Sequence, residues 1–277
     1  MKNFIIFQKL NYSIETKEKQ LQIDTVTEHI RKNMLEAGYS EAMPEHKKIS
    51  WVFSIGGDGT MLHCMHTHVN KQSIVVGVNA GNFGFLTPYS LEEIFDSDIV
   101  SLIEDKPRIE KRSILAHSIH KNKGFAVNEY TLVPLDVRDM LDFFVEIEHN
   151  NQISKAGHYN CFSLVISGPC GSTAYNMNVG GAIIDPVVQC MQIVMMAPTS
   201  LGVRPLIISK NSKIRIKLNK PAKIFSDGVL VNGNTFDNHN ELVISLIKKE
   251  SQILVPDDWN FFDVLAKKLH WNNGKKT

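Results

Sequence analysis

The stretch Ser54–Thr60 reads Ser-Ile-Gly-Gly-Asp-Gly-Thr. It follows the apolar run Trp51–Phe53, which predicts a buried strand, and it precedes Met61 and Leu62, which indicate the start of a helix. Three glycines within four positions let the backbone turn tightly and bring its N–H groups close to a bulky anion. We therefore expect a phosphate-binding loop that contains Gly56, Gly57, Gly59 and Thr60.

Asp58 is the unusual residue of this loop. A carboxylate repels phosphate unless it meets a metal ion or takes a proton from an attacking hydroxyl, and both roles belong to phosphoryl transfer. The loop lacks the Gly-Lys-Ser/Thr ending of a P-loop and does not fit G-x-G-x-x-G. Taken alone, it is also compatible with a glycine-rich turn capped by an aspartate.

Composition limits the class of protein. A chain of 277 residues holds one large domain or two ordinary ones. The net charge of +1 favours neither nucleic acid nor an anionic membrane, and no apolar run has the length of a membrane span. The N-terminal run Phe4–Phe7 is too short for a secretory signal. The four cysteines are scattered without C-x-x-C spacing, so we expect free thiols in the cytoplasm.

The first part of the chain alternates between predicted strands and predicted helices. Strands are expected at 4–7, 51–55 and 74–78, and helices at 14–37 and near 60–69. This alternation predicts an α/β domain with a parallel sheet, in which ligands bind at the carboxyl ends of the strands. A second glycine-containing loop, Asn79–Leu86, follows the third of these strands.

Beyond about Pro107 the pattern changes to short apolar runs separated by turn residues, which predicts a β-rich second domain. The glycine-rich stretch 168–181 interrupts it. Near the end, Asp257 and Asp258 are expected to cap a helix. Its expected apolar face contains Trp259, Phe262, Leu265 and Leu269. The short runs lie at 113–119, 125–133, 143–147, 162–167, 192–196, 206–209, 214–218, 224–231 and 241–247.

The motifs of the chain, and the order in which they occur, resemble those of the NAD kinase family. The glycine motif comes first and is shared with phosphofructokinases and diacylglycerol-type lipid kinases. The Asn-Glu pair and the Gly-Ser-Thr-Ala-Tyr stretch are highly specific in combination. The motifs are Gly56–Thr60, Asn79–Leu86 as N-x-G-x-x-G-F-L, Asn128-Glu129, Gly171–Tyr175 with Gly180-Gly181, and Ser226–Gly228.

The resemblance implies an activity and a domain plan. The activity is transfer of the terminal phosphoryl group of ATP, or of polyphosphate, to the adenosine ribose 2′-hydroxyl of NAD, which gives NADP. It implies Mg²⁺ held mostly by phosphates and water, and a homodimer or homotetramer. The expected domains are a phosphate-handling domain at 1–104, completed by the C-terminal helix 257–277, and a β-rich NAD-binding domain at 105–256.

The resemblance also implies roles for individual residues. Asp58 accepts the proton of the ribose hydroxyl and orients it. Asn128 and Glu129 hold the ribose hydroxyls and the adenine edge, as one amide and one carboxylate acceptor. The histidines beside Cys64 point several ways on a helix, so no metal ligands are assigned. The residues expected to contact NAD are Asp58, Gly59, Leu62, His63, Phe85, Asn128, Glu129, Thr173, Ala174, Tyr175 and Asn178.

Some positions depart from the family pattern. Phe162 and Ser163 stand where the family usually has Asp-Gly, the next run reads Ser-Gly-Pro-Cys-Gly at 167–171, and Val229 replaces a frequent glutamine. These positions serve dinucleotide recognition in the family. Two rival functions remain open: a dinucleotide-binding sensor that has lost catalysis, which Phe162 and Val229 would suit, and a kinase that shares the glycine motif but acts on a lipid or a sugar.

Overall fold

The computed structural model of the chain describes residues 2–8, 17–68, 73–81, 84–119, 122–231, 236 and 241–270. The chain forms two units, one of residues 1–111 with 251–277 and one of residues 112–250. Residues 82–83 of the second glycine-containing loop and residues 271–277 of the expected C-terminal helix lie outside the described residues. Within the described stretches, none of the helices combines the length and the apolar character needed to cross a bilayer.

Strands and helices alternate along the first unit. Its strands are β1 (Asn3–Gln8), β2 (Ser40–Glu41), β3 (Trp51–Gly56), β4 (Ile74–Asn79) and β5 (Tyr89–Ser90). Its helices are α1 (Lys17–Glu36), α2 (Asp58–His68), α3 (Leu91–Asp96), α4 (Ile99–Glu104) and α6 (Phe261–Leu269).

The second unit is built mainly of strands, of which the first begins and the last ends a few residues inside the first unit. They are β6 (Ile109–Ile119), β7 (Asn122–Ala126), β8 (Glu129–Pro134), β9 (Leu141–His149), β10 (Gln152–Cys161), β11 (Ser163–Ser167), β12 (Cys190–Met196), β13 (Leu206–Ser209), β14 (Lys213–Leu218), β15 (Ala222–Ser226), β16 (Val229–Leu230) and β17 (Glu241–Leu254). A 3-10 turn, Cys170–Thr173, and the short helix α5 (Tyr175–Asn178) follow β11.

The first unit has a parallel sheet in the order β2-β1-β3-β4, with residues 252–254 of β17 beside β4. Every residue of β3 is buried, as expected for a central parallel strand covered on both faces. Helix α1 buries Ile23, Val26, Ile30 and Met34, whose spacing places them on one helical face. The predicted α/β domain with a parallel sheet is confirmed.

Antiparallel pairing dominates the second unit. One group runs β10-β9-β14-β17, and a six-stranded sheet runs β13-β12-β11-β8-β15-β16. Their buried core includes Tyr130, Phe143, Leu164 and Ile216. The predicted β-rich C-terminal domain is therefore also confirmed.

Three predicted elements differ from the structure. The runs 125–133 and 224–231 each form two strands, because turns at 127–128 and 227–228 divide them. Asn260, and not Asp257 or Asp258, caps α6 by accepting the N–H of Phe262 at 2.8 Å. The helix therefore starts later than predicted, so Val264 and Leu265 are buried while Phe262 is exposed.

Candidate active site

The glycine-containing loop joins a buried strand to a helix. Gly56 is the last residue of β3, and α2 begins at Asp58. The N–H of Thr60 and the N–H of Met61 both donate to the carbonyl of Gly57, at 3.0 and 3.1 Å. The start of α2 therefore lies at the carboxyl edge of the parallel sheet, where first-turn N–H groups and the helix dipole favour an anion.

The carboxylate of Asp58 holds the second loop in place. Its Oδ2 accepts the N–H of Phe85 at 2.8 Å, and its Oδ1 accepts the N–H of Leu86 at 3.0 Å. The hydroxyl of Thr87 donates to Oδ1 at 3.4 Å. A Cβ added at Gly84 would collide with the Asp58 carboxylate, so only glycine permits this approach.

A further hydrogen-bonded chain extends from Asp58 to the end of β4. The side-chain amide of Asn79 donates to the Thr87 hydroxyl at 2.9 Å, and its Oδ1 accepts the N–H of Gly81 at 2.8 Å. Thr87 is buried. Thr87 directly follows the N-x-G-x-x-G-F-L motif but was not among the expected site residues.

The remaining expected site residues of the first unit lie around these loops. Leu62 is half-buried and His63 is exposed on α2, with the His63 ring 6.2 Å from the Phe7 ring. The ammonium of Lys268 lies 5.9 Å from the centre of the Phe85 ring, so α6 contributes a cation next to the second loop.

In the second unit, Asn128 and Glu129 form the turn between β7 and β8, and Asp227 fixes it. The carboxylate of Asp227 accepts the N–H groups of Val127, Asn128 and Glu129 at 2.8, 2.8 and 3.2 Å. The N–H of Asp227 returns a bond to the Glu129 carbonyl at 3.0 Å. This pair of turns fixes the backbone that presents the Asn-Glu pair.

Gly171 packs against the other side of the same turn. A Cβ added at Gly171 would collide with the backbone of Asn128, and the N–H of Gly168 donates to the Asn128 carbonyl at 3.2 Å. The Asn-Glu turn is therefore held between Asp227 and the glycine-rich stretch. Asp227 belongs to the late Ser-Asp-Gly motif but was not among the expected site residues.

The side chain of Glu129 is only 7% exposed, and its Oε2 finds no hydrogen-bond partner among the described residues. Burial, together with the negative charge of Asp227, raises the pKa of Glu129 to about 8. The carboxyl therefore holds its proton at neutral pH, so it can donate a hydrogen bond as well as accept one. The resemblance predicts a carboxylate acceptor here, and the structure differs because burial and the nearby Asp227 disfavour the charged form.

The stretch 170–178 is anchored by two buried side chains. The hydroxyl of Ser172 accepts the N–H of Ile184 at 3.0 Å and donates to its carbonyl at 3.2 Å. The amide of Asn176 lies 3.5 Å from Oε1 of Gln192, which also accepts the N–H of Ala182 at 2.9 Å. The expected site residues of this stretch, by contrast, are half-buried or exposed: Thr173, Ala174, Tyr175 and Asn178.

The positions that depart from the family pattern also lie in the second unit. Ser163 is fully buried, whereas Val229 is 70% exposed at the start of β16. Phe162 is half-buried, and its N–H donates to the carbonyl of Met196 at 3.0 Å. An apolar side chain therefore faces solvent where the family often has glutamine.

Family sequence models match most of the chain. The ATP-NAD kinase N-terminal domain matches residues 8–106, and the ATP-NAD kinase C-terminal domain matches residues 127–246. An NAD kinase of Wigglesworthia glossinidia brevipalpis is 34% identical over 233 residues, covering 82% of this chain and 77% of the relative. An NAD kinase of Photorhabdus laumondii is 30% identical over 226 residues, covering 79% and 75%.

Solved structures share the fold at 19% sequence identity. Yeast NADH kinase complexed with NADH superposes with a TM-score of 0.82, covering 100% of this chain and 89% of that one. An NAD kinase from Archaeoglobus fulgidus in complex with ATP gives a TM-score of 0.76, covering 98% and 99%.

Proposed function

The chain belongs to the NAD kinase family, and we propose that it transfers the terminal phosphoryl group of ATP to the adenosine ribose 2′-hydroxyl of NAD. The ribose oxygen forms a bond to the terminal phosphorus, the bond from that phosphorus to the bridging oxygen breaks, and ADP leaves with the electron pair. The products are NADP and ADP. The observation that carries the proposal is the anchored carboxylate of Asp58 within a phosphate-binding loop.

We assign the proton of the ribose hydroxyl to Asp58. Both of its oxygens already accept backbone N–H groups, and a carboxylate oxygen has a second lone pair available for a further donor. The two amides fix the direction of the carboxylate, which suits a reaction in which positioning contributes most of the rate enhancement.

The loop residues Gly56, Gly57, Gly59 and Thr60 are proposed to receive the phosphates of the donor. Among the described residues, no set of three or more His, Cys, Asp and Glu side chains lies close enough together to hold a metal ion. A Mg²⁺ ion that arrives on the ATP phosphates and keeps water ligands needs few protein ligands, and Asp58 is the carboxylate of the loop that would face it. When bound, the ion neutralises charge on the triphosphate.

In the second unit, Asn128 and Glu129 are proposed to hold the adenosine half of NAD. The fixed turn presents one amide and one protonated carboxyl, which together offer donors and acceptors to ribose hydroxyls and to the adenine edge. Thr173, Ala174, Tyr175 and Asn178 are proposed to form the wall of this subsite. In the first unit, Gly59, Leu62, His63 and Phe85 are proposed to provide the remaining contacts with NAD.

The decisive experiment is a direct assay of the purified protein with ATP, Mg²⁺ and NAD, with NADP measured by an NADP-specific dehydrogenase. NADP should form in proportion to enzyme. A protein that binds NAD without forming NADP would be a sensor, and one that phosphorylates a lipid or a sugar instead would be the related kinase. The comparisons lend no support to either alternative.

We further propose a cytoplasmic homodimer or homotetramer. The four cysteines are buried and form no disulfide, as expected in a reducing compartment. Edge strand β13 exposes Leu206 and Ile207, and an exposed apolar edge is a surface that a second copy can cover. Sedimentation velocity should give at least twice the mass of one chain.

A further inference from the structure

The sequence around the two glycine-containing loops carries no strongly basic residue. Residues 49–70, which include the first loop and α2, contain neither lysine nor arginine, and the same is true of residues 73–105, which include the second loop. Asp58 adds a carboxylate between the loops. Because a phosphoryl group in transfer is negatively charged, enzymes of this chemistry place metal ions and cationic side chains against it. We therefore expect a cationic side chain from another part of the chain at this site.

The C-terminal helix brings such a cation to the second loop. The ammonium of Lys268 lies 5.9 Å from the centre of the Phe85 ring. The N–H of Phe85 in turn donates to Oδ2 of Asp58 at 2.8 Å, so a single residue connects the ammonium to the carboxylate. Lys268 is half-buried, whereas its neighbour Lys267 is exposed, so the two lysines in the last turn of α6 have different surroundings.

The backbone that carries this ammonium is fixed in the first unit. At the start of α6, the Arg108 guanidinium donates to the carbonyls of Asp257 and Trp259 at 2.7 and 2.8 Å. Along the helix, Val264 and Leu265 are buried. A flexible four-carbon stem on a fixed helix lets a lysine ammonium move from an aromatic ring to a phosphate.

We infer that Lys268 is a phosphate-binding residue of the active site, which contacts the terminal phosphate of the donor and stabilises its negative charge during transfer. The inference rests on the proposed function and extends it, since it gives the C-terminal helix a chemical role. The distance to the Phe85 ring is close to the limit of about 6 Å for a cation–π contact, so the ammonium loses little when it leaves the ring. Lysine binds phosphate as a point charge and keeps its proton throughout.

The test compares Lys268→Gln with Lys267→Gln, which removes the same charge from the exposed neighbour. In Lys268→Gln the Kd of Mg-tripolyphosphate from calorimetry should rise about tenfold or more, as expected for the loss of a hydrogen bond between charged groups. The kcat for NADP formation should fall roughly 10–100-fold, because the ammonium stabilises the transferring phosphoryl group. The KM for NAD should stay within about twofold of the wild type. Lys268→Arg, which keeps the charge, should recover most of the lost affinity and turnover.

Lys267→Gln should match the wild type in all three quantities. A Lys268→Gln protein with the wild-type Kd for Mg-tripolyphosphate and the wild-type kcat would overturn the inference. A rise in the KM for NAD with an unchanged Kd for Mg-tripolyphosphate would also overturn it, since the ammonium would then face NAD and not the donor. Tripolyphosphate binding does not require turnover. A wild type that forms no NADP, but whose tripolyphosphate affinity depends on Lys268, would therefore contradict the proposed function and support the phosphate contact.

Discussion

At the scale of single residues, two carboxyl groups have opposite environments. Asp58 accepts backbone N–H groups on both oxygens. Glu129, by contrast, is buried near the carboxylate of Asp227, and its own Oε2 has no hydrogen-bond partner among the described residues. The sequence identified both residues through motifs. It did not reveal their environments, because the partners of each come from segments far along the chain.

Asp58→Asn should lower both turnover and stability. An asparagine has only one acceptor oxygen. Its NH₂ group would therefore face the N–H of either Phe85 or Leu86, and that hydrogen bond would be lost. We expect turnover to fall roughly 10²–10⁴-fold and the free energy of unfolding to fall by about 1.5–3 kcal/mol. Steady-state kinetics and urea unfolding measure the two effects.

Asp98→Asn is the matched control for Asp58→Asn. Asp98 also accepts two backbone N–H groups, those of Val100 and Ser101 at 3.0 and 3.2 Å, at the start of α4. It should change stability by well under about 1 kcal/mol, because asparagine caps a helix about as well as aspartate, and it should leave turnover unchanged. Near-native turnover of Asp58→Asn would show that another group accepts the proton.

Glu129 should make stability fall as pH rises. Its pKa in the folded protein is about 8, against 4.5 ordinarily, so between these values the folded state holds a proton that the unfolded state has lost. Stability should therefore decline through this window, by up to ~1.4 kcal/mol per pH unit. Glu129→Gln, which keeps an uncharged side chain, should flatten the decline.

Urea unfolding at several pH values between 5 and 8 measures this slope for wild type and Glu129→Gln. The exposed Glu36→Gln provides the control and should retain the wild-type slope. Equal slopes for wild type and Glu129→Gln would mean that Glu129 is ionised in the folded protein. The Asn-Glu turn would then present a carboxylate, as the sequence alone suggested.

At the scale of elements, regular patterns were predictable and turns were not. The buried run of β3 and the helical spacing in α1 predicted both elements within a few residues. Strand β10 was missed, because only one of its ten residues is buried and its pairing with β9 is what defines it. The turn at Asp227 interrupts an apolar run and needs positive φ values of 49° and 79° at Asp227 and Gly228.

That turn carries a prediction of its own. Asp227→Asn loses part of the anchor for Val127, Asn128 and Glu129, so the KM for NAD should rise about tenfold or more while the KM for ATP stays constant. The loss of a negative charge should also lower the pKa of Glu129 and reduce the pH dependence of stability. A merely destabilising substitution would not change both.

Asp136→Asn controls for the loss of an aspartate in a turn of the same unit, since Asp136 accepts the N–H of Arg138 at 2.9 Å on an exposed surface. Its KM values should match those of the wild type. If Asp227→Asn also keeps its KM for NAD, the backbone of the Asn-Glu turn does not depend on Asp227.

At the scale of the whole molecule, the family assignment depends on motifs distributed over both units. The order of the motifs predicted the family and the fold class, and the comparisons confirm both. The roles of the individual site residues stay predictions. A cavity beside the end of β4 was not predictable, because its lining comes from α1, β4 and α3, which are separate in the chain.

We expect the adenosine half of NAD to contribute more of the binding energy than the nicotinamide half. The turn that presents Asn128 and Glu129 is rigidly held, whereas Phe162 and Val229 replace polar residues of the family pattern. Each lost hydrogen bond contributes roughly 0.5–1.5 kcal/mol. A modified adenosine with a simplified nicotinamide end should therefore bind within about tenfold of NAD, a difference of about 1.4 kcal/mol.

Titration calorimetry with NAD and with the modified adenosine tests this division, and the Val229→Gln variant sharpens it. Because Val229 is 70% exposed, glutamine fits there without disturbing the core. The Val229→Gln variant should bind NAD more tightly than the wild type does and bind the adenosine analogue with unchanged affinity. A loss of about a thousandfold on removing the nicotinamide, about 4 kcal/mol, would contradict the prediction. Residues outside the motifs would then carry the nicotinamide half of the binding energy.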